Sequence, residues 1–181
     1  MRIALLAIGI VLLAVGASAQ APTEAALQGQ LKKLFPTAAT FSPKGGSPAV
    51  YKAFGPGGEN DLVGLAYWTT EIEPLERGFD GPIKMLVGLN TKGELTGVIV
   101  TDHREPYGYF SVDLPEWPKQ FEGKSVRDAF KVGTDVDAIT RATISVTSAS
   151  RAIRNSSRKV ARAYLAPPPA AGTAPAATTA Q

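Results

Sequence analysis

The feature that most limits the fold is a pair of apolar runs, Ile83 to Leu89 and Leu95 to Asp102, joined by the short link Asn90-Thr91-Lys92-Gly93-Glu94. A link this short, with a glycine inside it, turns one strand back beside the next and leaves no room for a helical crossover. The sheet is therefore read as antiparallel. Two further runs upstream, Ala49 to Phe54 and Leu62 to Thr70, extend it into a meander. Ahead of them Leu27, Leu31 and Leu34 share one face of a helix that starts at Thr23 as N-cap and is stopped by Pro36. Ser125 to Phe130 reads as a short capped helix. Val146, Ala149, Ile153, Val160 and Tyr164 then recur at three- and four-residue steps, which draws a long helix from Thr143 to Leu165. The expected class is α+β: an antiparallel meander with an N-terminal helix and a long C-terminal helix packed on it, the helices on one sheet face.

The two ends read differently from the middle. Met1-Arg2, the apolar run Ile3 to Val15 and the small-residue site Ala17-Ser18-Ala19 have the layout of a secretory signal peptide over residues 1–19, cut before Gln20. The alternative is an uncleaved segment that associates the protein with a membrane. From Ala166 to Gln181 the chain is dominated by proline, alanine, threonine and glycine, with no charged or aromatic residue. That composition buries too little to fold, so residues 166–181 are read as a disordered tail and 20–165 as one domain. The chain has no cysteine, which removes disulfides, thiolate metal sites and thiol nucleophiles, and a single histidine, His103, which removes a multi-histidine metal centre. A net charge of +3 is too weak to imply nucleic acid.

The chemistry is expected where a polar segment ending in Val136-Asp137 runs into the long helix. Thr140 to Thr143 occupy a helix N-terminus, whose unpaired N–H groups and partial positive charge suit a phosphate. On local grounds alone Asp137 or Thr140 serves equally as an N-cap. Asp137-x-x-Thr140-x-Ala142-Thr143 resembles the D-x-x-[ST]-G-A-T flavinylation motif of the FMN-binding domain family. That family includes the C and G subunits of sodium-pumping NADH:quinone reductase and Rnf complexes, and the periplasmic domain of nitrous-oxide-reductase regulatory proteins. The resemblance implies that FMN is joined through its 5′-phosphate to the hydroxyl of Thr143 by a flavin transferase. It also implies that Asp137 orients the turn or meets the transferase, and that Ala142 keeps the approach to the hydroxyl open. Arg141 stands where the motif carries glycine. Ile144, the next residue along the helix, completes this part of the expected cofactor-binding set.

Two further blocks carry the same resemblance. Gly78-Phe79-x-Gly81-Pro82-Ile83, followed by Gly93-x-Leu95-x-Gly97-Val98-x-Val100, is similar to the family's strand pair, and His103-Arg104-Glu105-Pro106 to its H-x-E-[TP] turn. A flavin ring is flat and largely apolar with a polar edge, so it needs an apolar shelf and a few placed donors and acceptors. Gly81 and Pro82 shape the loop before the hairpin, and Pro106 ends the turn that holds His103 and Glu105. Glu105 is a candidate acceptor for a ring N–H or a ribityl hydroxyl, or else a solvated loop carboxylate. The aromatic residues after it, Tyr107, Tyr109, Phe110, Trp117 and Phe121, either flank the ring or anchor an irregular segment. Arg151, Arg154, Arg158, Lys159 and Arg162 form a basic stripe on the last helix, expected to be solvated, with docking of an acidic redox partner as the sharper alternative.

Taken together, the resemblance implies a periplasmic or otherwise extracytoplasmic FMN-binding electron-transfer domain that relays electrons between redox protein partners and need not turn over a substrate of its own. A flavin-containing sensor or regulatory module, and a flavin-dependent reductase of a small acceptor, stay open as alternatives. The export reading has its own check. The exported protein should begin at Gln20 by intact mass; membrane-bound protein that retains Met1 would establish the anchored alternative instead.

Overall fold

The fold is described from a computed structural model, over residues 24–165. The signal-peptide segment 1–19, the Thr23 cap and the tail 166–181 lie outside the described residues. Helix α1 (Glu24–Leu34) is followed by strands β1 (Thr40–Phe41), β2 (Tyr51–Phe54) and β3 (Leu62–Trp68), the helical turn α2 (Thr69–Ile72), strands β4 (Lys84–Asn90) and β5 (Leu95–Asp102), the turn α3 (Glu116–Lys119) and the long helix α4 (Thr143–Tyr164). The strands lie in chain order in one five-stranded sheet, every neighbouring pair antiparallel. The class is the expected α+β meander. The extra strand, β1, is two residues long, too short to carry an alternating pattern. No helix among the described residues is long and apolar enough to cross a membrane.

The β4–β5 link owes its shape to Asn90, whose side-chain oxygen accepts from the N–H groups of Lys92 and Glu94, each at 2.9 Å. Gly93 follows with φ +81°, a left-handed conformation that glycine adopts without steric cost. Leu62–Trp68 stops two residues short of the expected end because Thr69 turns inward. Its hydroxyl accepts from the Met85 N–H at 3.2 Å, and the chain enters α2.

The helices do not share one face of the sheet. On β3 and β4 the side chains alternate between two cores: Leu65, Tyr67, Met85, Val87 and Leu89 face α4, and Ala66, Trp68 and Leu86 face α1. Strands so apolar on both sides need cover on both sides, whereas half-buried strands alternate with polar residues. Helix α1 approaches the sheet closely because Gly64, Gly88 and Gly97 leave a trough on its face. A Cβ on Gly64 would sit 2.2 Å from Phe35 Cε1, one on Gly88 3.2 Å from Leu34 Cβ, and one on Gly97 3.1 Å from Leu34 Cδ2. On the other face α4 buries Val146, Ala149, Ile153 and Val160 together with small serines. The serine hydroxyls bond back along the helix, Ser150 to Val146 O at 2.6 Å and Ser156 to Ala152 O at 2.7 Å. Ser157 also accepts from the buried Tyr67 hydroxyl at 2.7 Å.

Residues 103–142 close the α4 side with little regular structure. Trp117 and Phe121 are buried with ring centroids 5.0 Å apart, and Phe121 stacks on Phe130 at 6.1 Å, so these aromatics anchor the irregular segment. The expected helix at Ser125 to Phe130 is absent. The chain there lies against the hairpin, with Leu95 N–H donating to Lys124 O at 2.9 Å and Val126 N–H to Gly93 O at 2.9 Å. Arg158 takes the carbonyls a helix would need, donating to Val126 O and Asp128 O, each at 2.8 Å.

Two glycine substitutions should move stability in opposite directions. Gly64→Ala overpacks the trough and is expected to lower the unfolding free energy by about 2 kcal/mol. Gly29→Ala, on the open face of α1 with nothing within 4 Å of the added carbon, is expected to raise it by about 0.5 kcal/mol. Chemical denaturation midpoints of the two variants measure both.

Candidate cofactor site

The chain delivers Thr143 through a tightly held approach. Phe130 has φ +52°, and the segment after it is drawn around Asp135, whose carboxylate accepts from the Phe130 N–H at 2.9 Å and the Lys131 N–H at 2.5 Å. Partial burial alone would push the Asp135 carboxyl up. The two backbone donors and the nearby Lys124 ammonium outweigh it and hold the group below the usual carboxylate range. The Asp137 N–H then donates to Gln120 Oε1 at 2.7 Å, and a turn closes with the Ala142 N–H on Ile139 O at 3.1 Å.

Neither Asp137 nor Thr140 caps the helix. The chain bends at Arg141, φ +69°, and α4 begins at Thr143 with Ala142 in the cap position and no side chain bonded to the open end. The first backbone bond of the helix runs from Val146 N–H to Ala142 O at 3.0 Å. The amides of Thr143, Ile144 and Ser145 precede it and face an end with a partial positive charge. The Thr143 hydroxyl is exposed and makes only a long 3.5 Å contact to Ile139 O. The left-handed backbone at Arg141 also gives a physical reason for glycine at that place in the motif this segment resembles: glycine adopts it without steric cost, and arginine does not.

Beside this helix end is a cleft of about 260 Å³ lined by Phe79, Tyr107, Arg141, Ala142, Thr143, Ile144 and Ser145. Three of its walls are large apolar side chains left in solvent: Phe79 is 67% exposed, Ile144 58% and Tyr107 44%. Exposed apolar surface gathered at one concave place marks a binding surface more than scattered exposure does. Larger hollows, about 400 Å³ around Tyr164 and about 480 Å³ against the β4–β5 link, contain no residue of the threonine segment.

The expected site residues divide into two groups. Arg141, Ala142, Thr143 and Ile144 line the cleft; Asp137, Thr140, Gly81, Pro82, His103, Glu105 and Pro106 do not. Glu105 is neither a solvated carboxylate nor a wall of the cleft. It is 6% exposed, and its oxygens accept from the N–H groups of Phe79 and Asp80, each at 3.0 Å, and from the Ser145 hydroxyl. His103 supports it: Nδ1 accepts from the Glu105 N–H at 3.0 Å, and Nε2 meets Asp113 Oδ1 at 2.7 Å. Gly81, φ +116°, accepts from the Gly78 N–H at 2.7 Å and closes the loop that carries Phe79. Phe79 and Ser145 are the cleft residues that sequence reasoning did not single out. Phe79 sits inside the Gly-Phe-x-Gly-Pro block, and an apolar side chain in a glycine-flanked loop was the available signal. The basic stripe on α4 is largely tied inward: Arg151 pairs with Glu76 at 2.6 Å, Lys159 with Glu73 at 2.8 Å, and Arg158 holds the two carbonyls described above.

The cleft fits the demands of a flavin nucleotide: an apolar shelf for the ring, and a hydroxyl at an open helix end for the phosphate. Comparison with known proteins agrees. Residues 78–158 match the FMN-binding domain family. The G subunit of the ion-translocating oxidoreductase complex of Shewanella baltica (strain OS223) is 38% identical over 88 residues, 43% of this chain and 42% of the relative. The protein of the same name from Vibrio vulnificus (strain YJ016) is 32% identical over 88 residues, with the same two shares. The matched stretch thus spans under half the length of these relatives. The family match runs from Gly78, at the foot of the loop that bears Phe79, to Arg158 on α4, and so takes in every residue that lines the cleft. Over residues 78–158, a little under half of its length, this chain is similar to the FMN-binding domain family.

Proposed function

We propose that this protein is an extracytoplasmic electron-transfer flavoprotein in which FMN is joined by a phosphoester to Thr143 and electrons pass between redox protein partners. The observation that carries the reading is the pairing of an exposed threonine hydroxyl, at the uncapped start of a 22-residue helix, with a cleft whose walls are exposed Phe79, Tyr107 and Ile144. The similar proteins are components of an ion-translocating oxidoreductase complex, which favours a relay between proteins over turnover of a small acceptor. Export past the cytoplasm is supported by the sequence of residues 1–19 alone.

Each residue has a task in this reading. Thr143 would supply the oxygen: with a flavin dinucleotide as donor, its bond to the flavin-side phosphorus would form, the bond from that phosphorus to the bridging oxygen would break, and the hydroxyl proton would leave with the released nucleoside monophosphate. The net gain is one FMN less water. The free amides at the head of α4 hold the phosphate oxygens, and Ala142, buried and small, leaves the hydroxyl open to a flavin transferase. Phe79, Tyr107 and Ile144 would form the apolar shelf for the ring. When bound, FMN supplies the electron-accepting and electron-donating chemistry. Arg141 adds a positive charge at the mouth of the cleft, where it stabilises the more negative reduced state of the site.

Two experiments test this. Protein co-produced with a flavin transferase and exported should gain the mass of one FMN less water. Thr143→Ala should fold and gain nothing, Thr143→Ser should be partly labelled because it keeps the oxygen and loses the methyl group that restricts its rotamer, and Ser145→Ala and Thr147→Ala should stay labelled after denaturation. A labelled Thr143→Ala protein would move the attachment elsewhere. Arg141→Gly should act in two directions at once. Relief of the left-handed backbone raises the unfolding free energy by up to about 1 kcal/mol. Loss of the charge lowers the flavin midpoint potential by up to ~100 mV, since a tenfold change in a one-electron equilibrium is ~60 mV. Denaturation and spectroelectrochemistry read the two, and an unchanged potential would place the guanidinium in screening solvent.

A further inference from the structure

We propose that Glu105 is a positioning residue for the flavin: it acts through Phe79, which it holds over the first turn of α4 as the wall on which the ring lies. The inference rests on the reading that the cleft takes FMN. Glu105 itself is behind the cleft, buried and absent from its lining. One oxygen accepts from the Phe79 N–H and the other from the Asp80 N–H, each at 3.0 Å, while the Ser145 hydroxyl donates to the oxygen that Phe79 uses. Ser145 belongs to the turn of α4 that also presents Thr143. A single carboxylate therefore ties the loop that carries Phe79 to the helix that carries the attachment oxygen.

The surroundings are shaped for this tie. A Cβ on Gly78 would stand 2.4 Å from Glu105 Oε1, so the loop can close on the carboxylate only with glycine there. The Glu105 backbone is fixed in turn by His103, and His103 by Asp113. Charge-assisted bonds of this kind are stronger than neutral ones. Yet the side chain they bring into place, Phe79, stays 67% exposed and gains almost no burial from being held. A loop backbone fixed in this way keeps an aromatic side chain at the cleft, which suits a flat apolar ligand because the loop need not be ordered on binding. With three protein donors on its oxygens, the carboxylate is committed to the loop and the helix, and the ring meets Phe79 instead.

The test uses full-length protein carrying FMN, as wild type, Phe79→Ala, Glu105→Gln, Gly78→Ala and the double variant Phe79→Ala/Glu105→Gln. Visible circular dichroism of the flavin and iodide quenching of its fluorescence report the surroundings of the ring, and thermal unfolding reports the fold. Each single variant is expected to lose the flavin dichroism and expose the ring to iodide. The double variant should match Phe79→Ala alone, because residues that act through one another are not additive. Gly78→Ala displaces the carboxylate without changing its charge, so it should follow Glu105→Gln. If either does not fold, Ser145→Ala, which cuts only the helix end of the tie, takes its place with the same expectation. Three results would overturn the proposal: variants that melt lower but leave the flavin signals as in wild type, effects of Glu105→Gln and Phe79→Ala that add in full, or a response to Glu105→Gln with none to Gly78→Ala, which would assign the effect to charge. Wild-type protein that never carries flavin would overturn the cleft reading and this inference together, whereas flavin-bearing wild type with unaffected variants would overturn this inference alone.

Discussion

The two-sided burial of β3 and β4 governs the rest of the molecule. Leu65, Tyr67, Val87 and Leu89 on one side and Ala66, Trp68 and Leu86 on the other are removed from water, at about 2 kcal/mol for each large apolar side chain. Such strands cannot leave a face open. Helix α1 covers one and α4 the other, and each face solves its packing differently. The α1 face removes side chains from the sheet, at Gly64, Gly88 and Gly97, so that Leu34 and Phe35 settle close to the backbone. The α4 face shrinks the helix instead, with serines and alanines between its larger apolar residues.

That arrangement fixes the candidate cleft. Because α4 lies across the sheet, its first turn meets the loop between α2 and β4 and the turn after β5. Phe79, Glu105 and Ser145 are brought together from three parts of the sequence. The helix start is left without a side-chain cap, although Asp137 and Thr140 are close by in sequence, because the chain reverses at Arg141 before the helix begins. An uncapped end and a left-handed arginine both cost stability. Both sit at the mouth of the cleft, where such costs are tolerated when they shape a site.

The interior of the loop region follows the same economy. Trp117, Phe121 and Phe130 fill the space beside α4, so residues 103–142 need little regular structure to hold their course. The charges of α4 serve the fold as well: Arg151 and Lys159 anchor the segment after α2 through Glu76 and Glu73, and Arg158 anchors the segment before the threonine turn. A stripe that reads as solvated in sequence is in this way largely a set of ties between α4 and the loops that frame the cleft.

Local rules decided what was legible in the sequence. The short Asn90-to-Glu94 link forces antiparallel pairing, Pro36 ends α1, and three- and four-residue spacing marks α4, because each depends only on neighbours along the chain. The threonine segment was legible as a helix start for the same reason. The short edge strand β1, the placing of helices on opposite faces and the loss of the Ser125–Phe130 helix were not, since they turn on contacts such as Val126 with Gly93 and Arg158 with two distant carbonyls. Glu105 shows the boundary most clearly. Sequence alone placed a carboxylate in a turn near the expected site; whether it faced solvent, a ligand or the protein depended on where Phe79, Asp80 and Ser145 came to rest. Only the packed tertiary structure brings those donors within hydrogen-bonding distance, because burial of a carboxylate is stable only when such donors surround it.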